Sequence, residues 1–65
     1  MDDALLAYDS GRADGLSGRP DAVRAGDPAT GPDYRVGLVD GQLAAFEAAL
    51  IAAVRKALDH RNEAR

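Results

Sequence analysis

Two stretches of this chain carry the same spaced motif. Tyr8-x-x-Gly11-x-x-Asp14-Gly15 recurs as Tyr34-x-x-Gly37-x-x-Asp40-Gly41, so position 8 returns at 34, an offset of 26. A repeat with a fixed period means that one local structure is built twice. On a helix turning about 100° per residue, the tyrosine and both glycines of each copy fall within roughly 60° of one another, with the aspartate about 100° from the last glycine. Each copy thus presents a smooth strip headed by a tyrosine. In the second copy the strip continues through Ala44 or Ala45, Ala48 and Ala52. Small residues let helix backbones approach closely, so the motif predicts a crossing of two helices in which each tyrosine ring covers the other copy's glycines.

The flanking residues set the elements. Asp2 and Asp3 suit a helix start, and Ala4-Leu5-Leu6-Ala7 follows, which predicts a helix over about 2–17. Gly11, Gly15 and Gly18 each cost it about 1 kcal/mol relative to alanine; it should fray after Gly15 unless something packs there. Residues 18–32 hold all three prolines and three of the seven glycines and read as a loop. A loop of this length in a small domain is either a wrapping segment or a mobile linker. The mobile form is expected, because Val23 alone offers an apolar anchor.

A second helix is expected over about 33–62. Pro32 and Asp33 give its start, and Val36, Val39, Leu43, Phe46, Leu50, Val54 and Leu58 recur every three or four residues as one apolar stripe. Tyr34, Val36 and Leu38 also alternate like a strand, and Asp40-Gly41 is a favoured hairpin pair. The first copy decides against that, since Tyr8-Asp-Ser-Gly-Arg-Ala-Asp-Gly15 has poor strand propensity. The expected architecture is all-α: one small domain over 1–65, folded as a two-helix hairpin with a short first helix, a long loop and a long second helix.

Chemistry is sparse. There is no cysteine and one histidine, which removes thiolate metal sites and disulfides. Asp14 and Asp40 resemble a carboxylate pair, but a calcium loop needs oxygen ligands two and four residues before the Asp-Gly, where Arg12 and Ser10 or Leu38 and Val36 stand. Bonds to backbone groups or to Arg12 and Arg35 are the expected role for these aspartates. Gly26 to Gly31 lacks the Gly-Lys-Ser/Thr ending of a phosphate loop, and His60 sits among Asp59, Arg61 and Asn62 as a surface residue. No cofactor, metal or small-molecule substrate is expected, and no enzymatic activity.

Charge limits the partners. The net charge is -3, which argues against general nucleic-acid binding. The distribution is bipolar: residues 1–42 hold eight aspartates against four arginines, whereas 55–65 hold Arg55, Lys56, Arg61 and Arg65 against Asp59 and Glu63. The acidic amino-terminal residues are unlike a secretory signal, and Leu43 to Val54 is well short of the roughly 20 residues that span a bilayer. A cytoplasmic protein is expected; seven arginines to one lysine, with abundant alanine, suggests a high-GC bacterial source.

The two helices do not match in length. If the motifs pair, Leu50, Ile51, Val54 and Leu58 extend beyond the first helix with nothing in the chain to cover them. Each is worth roughly 1.5–3 kcal/mol on burial, and a chain of this size has a marginal core of its own. A second copy or another helical protein is the expected cover; the copy is the simplest, with Leu43, Phe46, Leu50, Ile51, Val54 and Leu58 at the interface and a homodimer of four helices as the product. The expected function is a non-enzymatic protein-protein interaction or assembly module. The alternative is a small DNA-associated regulator that dimerises through the second helix and uses its basic end.

Overall fold

The computed structural model describes residues 2–63, whose regular elements are all helices, with no strand among them. Helix α1 spans Asp3–Ser17, α2 is a single turn over Ala22–Ala25, and α3 spans Gly31–Glu63. Residues 34–41 are helical, so the strand alternative is excluded. Arg65, counted above in the basic end, lies outside the described residues.

The ends of α1 follow from its sequence. Asp2 Oδ1 accepts from the N–H groups of Ala4 (3.0 Å) and Leu5 (3.3 Å), satisfying donors that no helical carbonyl reaches. At the other end Gly18 turns left-handed at φ 71°, and the Arg19 N–H returns to the Asp14 carbonyl at 2.9 Å. That is the Schellman closure, which glycine makes without steric penalty. The expected fraying after Gly15 does not occur, because Gly15 is buried against α3.

The connection is more structured than its composition suggests. Asp21 Oδ1 caps α2 through the N–H groups of Val23 (3.0 Å) and Arg24 (3.2 Å), and its Oδ2 lies 3.6 Å from Arg24 Nε. Asp27 repeats the device with Ala29 (2.8 Å) and Thr30 (3.1 Å), leading into α3. These donors hold the Asp27 carboxyl below its usual range, the Thr30 N–H contributing most. Val23 is no anchor, being 84% exposed. Gly31 holds the segment instead, buried where a Cβ would meet the carbonyls of Ala25 and Arg24.

Helices α1 and α3 lie side by side with the repeat in register. Gly11 meets Tyr34 and Leu38, and Gly15 meets Leu38 and Gln42; reciprocally, Gly37 meets Tyr8 and Arg12, and Gly41 meets Arg12 and Leu16. Numbers rise together on both sides, so the helices run parallel and the connection retraces the length of α1. The offset between facing residues is the repeat offset itself. Equivalent residues of the two copies therefore stand level about a pseudo-twofold axis.

The molecule is a rod, 57 × 21 × 12 Å, with a radius of gyration of 16.6 Å, against about 11 Å for a compact chain of this length. At 1.5 Å per residue α1 is about 22 Å long and α3 about 50 Å, so roughly the second half of α3 projects beyond its neighbour. Tyr34, 1% exposed, is the buried hydrophobic side chain among the described residues. The accessible surface is 5042 Å², roughly 1,000 Å² more than a compact monomer of 6.8 kDa presents. By length and composition alone, α3 over Gly31–Arg61 is long and apolar enough to cross a membrane, with a mean hydropathy of 1.5 over its most apolar window, 11% of which is buried.

Candidate functional site

The motif residues form the crossing. A Cβ placed on Gly11 would fall onto the Tyr34 carbonyl oxygen and come within 2.9 Å of the Leu38 nitrogen. One on Gly37 would fall onto the Tyr8 carbonyl oxygen, 2.9 Å from the Arg12 nitrogen. Gly15 and Gly41 are equally tight, against Leu38 and Arg12. All four glycines are buried. Backbone therefore packs directly on backbone, the geometry small-xxx-small helix pairs use, with Cα–H groups set against facing carbonyls.

The polar members lock this contact across the helices. Tyr8 donates its hydroxyl to Asp40 Oδ2 at 2.5 Å, and Tyr34 donates to Asp14 Oδ2 at 2.6 Å. The partners of the two aspartates are thus the opposite tyrosines, not the backbone groups or arginines expected from sequence. The hydrogen bond to Asp40 chiefly raises the ionisation of Tyr8 above its ordinary value. For Tyr34 burial comes first, followed by the bond to Asp14.

The copies differ in one respect. The Tyr34 hydroxyl also accepts the Asp21 N–H at 2.8 Å, so the second tyrosine binds α1 and the connection together. Tyr8 is only half-buried and Asp40 is exposed, whereas Asp14 is partly buried. Sequence reasoning missed Asp21, Asp27 and Gly31. The Asp-x-x spacing before short helical turns signals the first two; the close approach of Gly31 has no local signal. Beside Tyr34 lies a shallow cleft between α1 and the connection, lined by Ser10, Arg24 and Thr30 among others.

The apolar residues form a separate surface. Leu43 (56% exposed), Phe46 (64%) and Leu50 (52%), with Ile51, Val54 and Leu58, remain in solvent. The connection shelters none of them. On the helix the centre of this stripe lies about 120° from the glycine strip, with Ile51 nearest to it at about 60°, so α1 and any cover for this stripe occupy different sides of α3. No group of three or more metal-ligating side chains occurs among the described residues. In the comparisons with known proteins, no family model, no curated protein and no solved structure matches this chain.

Proposed function

We propose that this protein is a small non-enzymatic assembly module that self-associates through the apolar face of α3, two copies forming a four-helix arrangement. The observation that carries the reading is the exposure of that face: large side chains from Val36 to Leu58 are about half in water, while among the described residues Tyr34 alone is a buried hydrophobic side chain. The excess surface of roughly 1,000 Å² is one protomer's share of an ordinary stable interface, about 800 Å² per partner. Burying it offsets the marginal stability of an isolated chain this small.

A membrane span is the competing use of α3. Against it, the apolar window includes Asp40 and Glu47, and the lower half of α3 is flanked by α1 with Asp9 and Arg12 exposed. Charged side chains there would each cost several kcal/mol in hydrocarbon. Sedimentation velocity at low micromolar concentration tests the proposal: a helical dimer supports it, and a folded monomer overturns it. Flotation with neutral and anionic vesicles detects the membrane reading separately.

A further inference from the structure

We infer that the two copies pair antiparallel, centred near Leu50 and Ile51, so that the acidic lower half of one α3 lies along the basic upper half of the other. This rests on the self-association proposed above and adds its orientation and register. The charge pattern along α3 carries it. Residues 31–48 hold Asp33, Asp40 and Glu47 against Arg35, and residues 49–63 hold Arg55, Lys56 and Arg61 against Asp59 and Glu63. A parallel pair sets acids beside acids and bases beside bases over the whole contact; an antiparallel pair sets each against its opposite.

The angular positions put three of these charges near the seam. At about 100° per residue, Asp40, Glu47 and Arg61 fall within roughly 60° of the line through Leu43, Leu50 and Val54. With the centre between Leu50 and Ile51, residues equally distant from it face one another: Leu43 meets the second copy's Leu58, and Asp40 meets its Arg61. Glu47 comes level with the second copy's Val54 at the edge of the seam, while Arg55, about 110° from that line, stays outside it. Asp40 uses Oδ2 for the Tyr8 hydroxyl, and Oδ1 takes the guanidinium across the interface.

Leu43, Leu50 and Leu58 are each 52–56% exposed in the single chain, so the contact needs no rearrangement within it. Both α1 helices lie on the glycine side and stay at opposite ends of the assembly. Four helices result without disturbing either crossing.

Two measurements on the full chain test this. A nitroxide attached to Arg35→Cys, in a chain that otherwise lacks cysteine, should report a distance of about 45 Å between copies in the antiparallel pair and about 20 Å in a parallel one. Arg61→Glu should weaken self-association by about tenfold in the antiparallel pair, because it sets like charges at both Asp40 contacts, and should leave a parallel pair, where position 61 faces its own counterpart, about as strong. A dimer with the short distance, or with an Arg61 reversal that does not weaken it, overturns the orientation and leaves self-association standing. A chain that sediments as a monomer overturns both.

Discussion

Tyr34 and Asp14 meet at 2.6 Å across the helix pair, and the hydroxyl that donates to this carboxylate also accepts the Asp21 N–H at 2.8 Å. One side chain thereby fastens three segments: α3, α1 and the connection. Its counterpart Tyr8 makes only the reciprocal bond to Asp40, at 2.5 Å. The symmetry of the repeat is broken at this point, and the burial of the two rings follows the difference.

Tyr34→Phe should therefore lower the thermal midpoint by several degrees, because it strands a partly buried carboxylate and an N–H together. Tyr8→Phe should cost clearly less. Circular dichroism melts of both variants at equal concentration check the order; equal losses would mean that the bond to Asp21 contributes nothing.

Glycine-to-alanine changes in an exposed helix interior usually stabilise by about 0.5–1 kcal/mol. At Gly11 and Gly37 the new methyl group would overlap a facing carbonyl, and a loss of about 2 kcal/mol or more is expected as the backbones part. Gly41→Leu should be worse. Gly26→Ala is the control, since its Cβ would meet nothing closer than the Ala22 carbonyl at 3.4 Å; urea unfolding should leave it within about 0.5 kcal/mol of the parent.

Leu50→Glu places a charge at the middle of the exposed stripe, where Leu50 is 52% exposed in the single chain. On the proposed self-association, helix content at high concentration should change little while the dimer Kd rises by roughly 100-fold, equivalent to about 2.7 kcal/mol. Analytical ultracentrifugation across a concentration series reads the shift directly.

Alkaline pH provides a test of the paired hydroxyls. Both tyrosines ionise above the ordinary value of 10.0 in the folded chain, so the unfolded chain loses its phenolic protons first. The stabilisation from these bonds is fully present below about pH 10 and is lost as pH rises through the folded values. Ultraviolet titration of the phenolate band should show a delayed onset, and the pH dependence should diminish in the Tyr8→Phe, Tyr34→Phe double variant.

Much of this architecture is readable from residue spacing. The stripe from Val36 to Leu58 specifies a long helix because its period is consistent over many turns, and the two motifs specify a close crossing because only glycine has no side chain to hold backbones apart. The direction of the crossing is not readable: two identical motifs can face each other parallel or antiparallel, and both orientations bring a tyrosine near the other copy's aspartate. Helix α2 is hidden for a different reason. Its four residues, Ala22 to Ala25, are too few for any period to register, and its formation depends on the Asp21 cap and on Gly31 lying beneath it. The tyrosine–aspartate bonds also went unanticipated, since the nearest cations along the chain offered a simpler local pairing for both carboxylates.

Parallel alignment of α1 and α3 has an electrostatic consequence of its own. Peptide dipoles in neighbouring antiparallel helices partly cancel, but here they reinforce, gathering two positive termini at the same pole of the rod. Asp2, Asp3, Asp27 and Asp33 are clustered in sequence around those two termini. Their negative charge is the counterweight that lets two like-oriented helices share a seam, and strong acid, by discharging it, sets the poles against each other.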